Sequence, residues 1–331
     1  MAKPVGPVRR AIKYVLRLAV LTLVILTLFS LFARSLFLAE LVASLRVQIS
    51  IGAAALLLVA LVDRDFWNAG VITTCMVIHA SFLLPQMWRP SREIEMAEEA
   101  DNVSTMTVMT LNALSANTHY DWIADQIVQD DPDAVGILEL GPGLDAFLRK
   151  RFSERYPHKL TVPSDAGNFG IGLFSRRPLS DSQVIQWQRG VPTIQAEIDG
   201  VRMILAHPLP PVNAANFQSR NEQLQKLVHQ VQGHRRRDED APIVVMGDLN
   251  LTPWSPWFYD LQSQTGLRRS FEGLGLRPTW YANRLGFLAG LVLDHVLVSD
   301  SISVDRVWIG SNIGSDHRGV SVRMHWPSAS Q

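Results

Sequence analysis

The chain has 331 residues, with Lys+Arg and Asp+Glu both at 31, so its net charge at pH 7 is zero. That length exceeds one small domain and leaves room for a membrane segment plus one large domain. The charge is unevenly divided: residues 1–89 carry 9 Lys+Arg against 3 Asp+Glu, a balance of +6, and residues 90–331 carry 22 against 28, a balance of −6. An acidic C-terminal part argues against a grip on long nucleic acid through a basic face, though not against a nuclease with few phosphate contacts. The one cysteine, Cys75, lies in an apolar run. This excludes a disulfide framework, a Cys-His zinc pattern and a thiol nucleophile.

Three stretches near the N-terminus lack charge: Leu18 to Ala33, Val47 to Val62 and Phe66 to Trp88. The third is long enough to cross a bilayer, which takes about 20 residues. The first two are short, and the flanking Arg17, Arg34 and Arg46 extend them by snorkelling. The first stretch alone would also suit a cleaved signal peptide, but two further apolar stretches follow it. The later two are apolar on every face, which favours lipid over a buried hairpin. Residues 1–88 are therefore expected to be an all-α transmembrane anchor of three helices. Lys3, Arg9, Arg10, Lys13 and Arg17 precede the first span, whereas only Arg34 and Arg46 lie in the next loop. The positive-inside rule puts that N-terminus in the cytoplasm, and three spans then put the rest of the chain outside.

Residues 89–102, "RPSREIEMAEEADN", read as a polar linker. Beyond it, strands and helices alternate. "VSTMTVMTLNAL" is β-rich, "HYDWIADQIVQD" has helical spacing, "DAVGILEL" is a short apolar strand and "GPGLDAFLRKRF" a helix. "FGIGLFS", "TIQAEID" and "VRMILAH" are strands, and "NAANFQSRNEQLQKLVHQVQ" is the longest helix. "APIVVMGDLN", "LVLDHVLVS" and "ISVDRVWIG" are strands again. Many strands with fewer helices suggest two mixed sheets packed face to face with helices outside.

Polar residues recur at the ends of these apolar strands: Asn112 after "VMTL", Glu139 after "GIL", His207 after "MILA", Asp248 and Asn250 after "IVVM" and Asp294 after "LVL". Asp316 and His317 lie between two further apolar runs. Each alone has an ordinary explanation as a cap, a turn or a surface group. Asp248 and Asn250, two residues apart, point the same way at a strand end, which suits a metal, a phosphate, a water or a simple turn. Their shared placement is the informative feature, because strand ends along one rim cluster such groups.

The ordered set Asn112, Glu139, "AHPLPP", "GDLN", "LDHVLVS" and "SDH" resembles the endonuclease/exonuclease/phosphatase superfamily over roughly Val103 to Trp326. The "HPLPP" variant resembles a bacterial branch with N-terminal membrane spans. The resemblance implies a four-layer α/β sandwich over residues 103–327 and metal-assisted hydrolysis of phosphoesters. It implies Glu139 as principal ligand of Mg²⁺ (or Mn²⁺), supported by Asn112 and Asp316; oxygen-only ligands suit such hard cations. It further implies that Asp248 orients or deprotonates water and that Asn250 holds the phosphate or aligns Asp248. His317, fixed by Asp294, would contact the phosphate, and His207 would stabilise the transition state or protonate the leaving oxygen. Arg176 in "GLFSRRP" sits where many members carry Ser-Arg, so it is a candidate phosphate contact or a structural ion pair. Pancreatic members pair the histidine matching His207 with an additional Glu, and no such Glu is found here.

The anchor, the acidic domain and the apolar "RLGFLAGL" segment before Asp294 favour a membrane lipid phosphate or lipid-linked diphosphate as substrate, with Trp254, Trp257 and Phe287 candidates to line the mouth and the core the commoner place for such tryptophans. The alternatives are a membrane-tethered nuclease or nucleotide phosphatase, and a catalytically inactive binding domain. The expected location is a bacterial inner membrane with an extracytoplasmic domain, and no protein partner is implied.

Overall fold

In the computed structural model, which describes residues 7–87, 103–271, 277–282 and 290–327, the charge-poor N-terminal stretches are helical. They form α1 (Pro7–Ser30), α2 (Phe37–Ser44), α3 (Arg46–Val62) and α4 (Phe66–Met87). Two helical segments, Arg10–Ser30 and Phe66–Gln86, are long and apolar enough to cross a membrane. A third span exists only if α2 and α3, which meet at a 61° bend, are counted as one. The expected second span is thus a 17-residue helix with a short, separate helix before it.

This helical unit is apolar outside as well as inside, where Leu16, Val20, Leu23 and Ile72 form a core around a few polar groups. Val15 and Leu58 are 63% and 66% exposed, and Leu21, Ile25 and Val77 also face outward. Inside lie Thr27, Ser30, Arg46 and His79. Arg46 Nη1 donates to His79 Nδ1 (3.4 Å), Arg46 Nη2 to Ser30 O (3.3 Å), and His79 Nε2 meets Thr27 Oγ1 (3.0 Å). Helices of this length with apolar outer faces have the composition that a bilayer accommodates.

The α/β unit follows. Its strands are β1 (Val103–Asn112), β2 (Ala134–Leu138), β3 (His158–Val162), β4 (Ile171–Ser175), β5 (Ser180–Gln186), β6 (Pro192–Ile198) and β7 (Val201–Leu205). Then come β8 (Ile243–Asp248), β9 (Arg268–Arg269), β10 (Trp280–Tyr281), β11 (Gly290–Leu291), β12 (Asp294–Val298), β13 (Ser303–Ile309) and β14 (Val320–Pro327). Its helices are α5 (Tyr120–Asp130), α6 (Pro142–Arg151), α7 (Ala214–Arg235) and α8 (Pro256–Thr265). One six-stranded sheet runs β13-β14-β1-β2-β4-β3 and the other β5-β6-β7-β8-β12-β9, with β10-β11 as a separate ribbon.

Strand alternation builds the layers. Val108 of β1, Leu138 of β2, Met203 and Leu205 of β7, Val244 and Met246 of β8 and Val296 of β12 meet between the two sheets. Their neighbours point the other way. Met109, Val135 and Ile137 pack under Ile123 of α5 and Leu144 of α6. Ile204, Val245 and Leu297 pack under Leu224 of α7 and Phe258 of α8. Strands buried on both faces must be apolar at every position, which is why "IVVM" and "MIL" run without alternation. The result is the expected four-layer α/β sandwich.

The longer "LVLDHVLVS" strand is broken in the structure. Gly290 and Leu291 pair with Tyr281 and Trp280, and Asp294 starts a new pairing opposite Asp248. The proposed linker 89–102 and Phe287 lie outside the described residues.

One glycine is indispensable to the rim. Gly247 has φ 143, and a Cβ there would stand 1.9 Å from the Ala206 carbonyl oxygen on the adjoining chain. Neither backbone can yield without parting β7 from β8. Gly247→Ala should destabilise the α/β unit by more than about 4 kcal/mol, read as a large drop in the near-UV circular-dichroism melting temperature of the full chain in detergent.

Candidate active site

Strand register brings the polar strand ends together. β1 and β2 are parallel, with Asn112 beside Leu138, so Asn112 and Glu139 leave the first sheet at the same rim. β7 and β8 are parallel in the second sheet, with Leu205 beside Met246, and deliver His207 and Asp248. β12 runs antiparallel and begins there, with Asp294 opposite Asp248. β14 also begins at this rim, Val320 pairing with Thr110, so Asp316 and His317 arrive just before it.

The two sheets are joined at this rim by one amide. Asn112 Nδ2 lies 3.2 Å from Glu139 Oε1 and 3.2 Å from Asp248 Oδ2. Glu139 Oε2 accepts from both the backbone N–H and the hydroxyl of Ser115, each at 2.9 Å. Glu139 itself is held in a left-handed conformation, φ 55. Such a conformation is uncommon outside glycine and marks a position fixed by its surroundings.

On the other side of Asp248 stand two imidazoles. His207 Nε2 and His317 Nε2 are each 3.6 Å from Asp248 Oδ2. His317 Nδ1 lies 2.8 Å from Asp294 Oδ2. Burial pulls the His317 imidazole down, but Asp294 and Asp248 outweigh it and push it up to about 10. Burial likewise pushes the Asp248 carboxyl up, yet His317, His207 and the Asn250 N–H hold it down at about 2. The arrangement is a protonated imidazole between two carboxylates, a cation fixed in place and tautomer by its partner.

Asn250 is also left-handed, φ 51. Its N–H donates to Asp248 Oδ1 (2.9 Å) and its Nδ2 to Pro208 O (2.9 Å). Of its two expected roles, aligning Asp248 is the one these bonds support, since the side chain is turned to a backbone carbonyl. His207 packs against Phe169, 5.7 Å between ring centres, and its Nδ1 has no hydrogen-bond partner among the described residues.

Asp316 Oδ2 accepts from the indole N–H of Trp280 (2.9 Å). Thr279 Oγ1 accepts from the N–H groups of Leu293 and Asp294, both at 3.0 Å. Ser115, Thr279 and Trp280 thus hold site carboxylates and strand ends, and sequence reasoning missed all three. Ser115 and Thr279 carry no distinctive signal; Trp280, in "RPTW", lay in a stretch to which no element was assigned.

Two expected site residues lie elsewhere. β4 runs antiparallel to β2, with Ser175 opposite Ala134 and Ile171 opposite Leu138, so Arg176 leaves β4 at the far end from Glu139. There it pairs with Asp131 beside Arg155, and the ion-pair reading replaces the phosphate contact. Trp257 stands in the first turn of α8, its ring edge-on to Phe217 of α7 at 6.5 Å, against the outer-layer core.

Glu139, Asp248 and Asp294 are all buried, and among the described residues neither Glu139 nor Asp248 pairs with a Lys or Arg. Buried carboxylates in excess of buried cations call for a further positive charge, which fits a hard divalent ion beside Glu139. Asp248, Asp294 and His317 also stand within 4.8 Å of one another. That trio is better described as an ion pair than as a metal centre, because a doubly protonated imidazole has no lone pair to offer.

Comparison with known proteins gives a consistent picture. The pattern of the Endonuclease/Exonuclease/phosphatase family matches residues 109–317. No curated protein sequence matches. The fold is similar to the 3' phosphatase NExo from Neisseria bound to a product DNA hairpin: TM-score 0.56, 19% identity, covering 66% of this chain and 98% of that one. It is similar to D. rerio TDP2 complexed with single-strand DNA product: TM-score 0.55, 19% identity, 67% and 99% covered. An endonuclease/exonuclease/phosphatase from Beutenbergia cavernae gives TM-score 0.54 and 19% identity, with 67% and 72% covered.

The imidazole of His317 should titrate near pH 10, followed by its Cε1–H resonance in NMR. In Asp294→Asn the titration should fall back toward the ordinary histidine value of about 6.5. Because the folded value is the higher, the stabilisation it supplies is complete below about pH 6.5 and is lost as pH rises through the folded value. An unshifted histidine in the wild-type protein would contradict the ion pair.

Proposed function

We propose, from the premise that this chain belongs to the endonuclease/exonuclease/phosphatase family, metal-dependent hydrolases of phosphoester bonds, that it cleaves a phosphoester at a membrane surface to which residues 1–88 anchor it. The observation that carries the chemistry is the shared rim, where one amide joins Glu139 to Asp248 and His317 stands between Asp248 and Asp294. An inactive binding domain would have no use for such a costly burial of like charges.

Mg²⁺ (or Mn²⁺), held by Glu139 with Asn112 and Asp316, would supply positive charge to the phosphoryl oxygens as negative charge builds there. The protein's own groups do the rest. Asp248, ionised throughout the physiological range, accepts a hydrogen bond from the attacking water and orients it; a carboxylate held near 2 is a weak base, so orientation is its main contribution. Asn250 fixes the angle of that carboxylate. His317, kept protonated by Asp294, donates from Nε2 to a phosphoryl oxygen, and His207 gives a proton to the leaving oxygen.

The favoured substrate is a membrane lipid phosphate. The outward-facing apolar side chains of the helical unit and the −6 balance of residues 90–331 support it, since a tethered enzyme gains effective concentration only for what shares its surface. The second reading is a tethered nuclease, favoured by the DNA products held in the NExo and TDP2 structures.

Purified full chain should hydrolyse lipid phosphate in vesicles faster than single-stranded DNA. Chelation should abolish turnover and Mg²⁺ or Mn²⁺ restore it. Glu139→Ala should lose at least roughly 10²-fold in kcat while keeping its fold. Activity that survives dialysis against EDTA would overturn the metal role, and DNA cleavage without lipid turnover would promote the nuclease.

The inner membrane of a bacterium, with three spans and an extracytoplasmic hydrolase, is the proposed location. Alkaline phosphatase fused after Gln331 should then be active, and a fluorescent protein that matures only in the cytoplasm should stay dark. The reverse result would mean two spans, with α2 and α3 failing to cross.

A further inference from the structure

The backbone just after Asp248 is held from two directions by buried side chains that the chemistry above does not use. Arg220 of α7 is 0% exposed, and its Nη1 donates to the Asn250 carbonyl at 2.9 Å. Its Nε donates to Asn221 Oδ1 (3.0 Å), and the guanidinium lies 5.3 Å from the centre of the Phe217 ring. His295 of β12 is 1% exposed, and its Nε2 lies 2.8 Å from the Leu251 carbonyl oxygen. The carbonyl can only accept, so Nε2 carries the proton. The ring packs on Phe258, 4.7 Å between centres, and burial holds it neutral, pulled down to about 3. Two successive carbonyls, from Asn250 and Leu251, are therefore each bound by a fixed N–H group from a different layer.

The residue between these anchors and Asp248 is under strain. Asn250 adopts φ 51, a conformation that costs a non-glycine residue of order 1–2 kcal/mol and persists only where the surroundings impose it. In the same turn the Asn250 N–H donates to Asp248 Oδ1. The other oxygen of the same carboxylate faces Asn112 Nδ2 and the two imidazoles. The twist at Asn250 therefore sets the plane of the Asp248 carboxylate.

We propose that Arg220 and His295 are positioning residues that hold Asn250 in its left-handed conformation through the Asn250 and Leu251 carbonyls, and so aim Asp248. The inference rests on the proposed role of Asp248 in orienting the attacking water. A misplacement of about 1 Å at such a group costs roughly 10²-fold in rate without weakening substrate binding. The expected effect is on kcat rather than KM.

The test uses the full chain in detergent with Mg²⁺ and bis(p-nitrophenyl) phosphate, a small soluble diester. Arg220→Met and His295→Leu should each lower kcat by roughly 10- to 100-fold, with KM within about twofold. His295→Gln, whose amide N–H stands near the lost Nε2–H, and Arg220→Lys should recover a large part. The double variant Arg220→Met/His295→Leu should lose less than the product of the single losses, because both act on one loop.

Hydrogen–deuterium exchange over residues 247–252 supplies a readout that needs no activity. The Asn250 amide should exchange at least about tenfold faster in both variants, with Met246 on β8 unchanged. Unchanged kcat, a rise in KM alone, His295→Gln no better than His295→Leu, or Asn250 protection that persists would each overturn the proposal. Wild-type chain inert toward every phosphoester with metal present would instead overturn the hydrolase reading, and the exchange result would still decide whether the two side chains hold the loop.

Discussion

Two carboxylates from facing sheets share one amide nitrogen at the rim of the α/β unit. Glu139 leaves the first sheet, Asp248 leaves the second, and Asn112 Nδ2 stands 3.2 Å from both. Like charges buried so close repel strongly, and nothing in sheet packing alone would hold them there. The surrounding structure is organised against that repulsion. Ser115 spends both its donors on Glu139, His317 brings a positive charge to Asp248, and Trp280 occupies Asp316. The left-handed turns at Glu139 and Asn250 are the backbone's share of the same task. Relaxing any of these would lower the local strain and disperse the groups that chemistry requires together.

Much of this was legible before the fold was known, because it depends on strand ends. A run such as "IVVM" must be buried on both faces, so the polar residues that follow it can only emerge at a rim. Asn112, Glu139, His207, Asp248, Asp294 and His317 were found that way. The order of strands in each sheet was not legible, and without it the two readings of Arg176, a phosphate contact and an ion pair, stayed open. Its motif follows an apolar strand just as the others do, but β4 is antiparallel to β2 and delivers it to the opposite rim. Residues that act through others left no trace either. Ser115, Thr279, Arg220 and His295 are ordinary in sequence, and their value comes from distances across elements.

The helical unit shows the same limit in another form. Its apolar stretches were plain, and Arg46 read as a charge flanking one of them. In the structure it begins α3 and turns inward, stacked on Phe82 at 3.7 Å and bonded to His79 of α4 and Ser30 of α1. Hydropathy counts a charge as a boundary because water is the usual partner for it. Here two helices provide partners instead, so the charge sits within the bundle and the 61° bend between α2 and α3 falls beside it.

The pairing of β1 has a consequence for how the protein comes into being. β1 is the first strand of the α/β unit, and it lies between β2 and β14, the unit's last, with Val103 opposite Pro327. A chain emerging from the ribosome therefore carries Met106 and Val108 on an open strand edge until nearly all of the unit has been made. Such a topology makes the closing contact one of long sequence separation, which slows folding. It also delays reactivity. Asp316 and His317 are the last of the rim residues to be translated, and they take their place only as β14 docks. The rim is complete only when the first and last strands of the unit have paired.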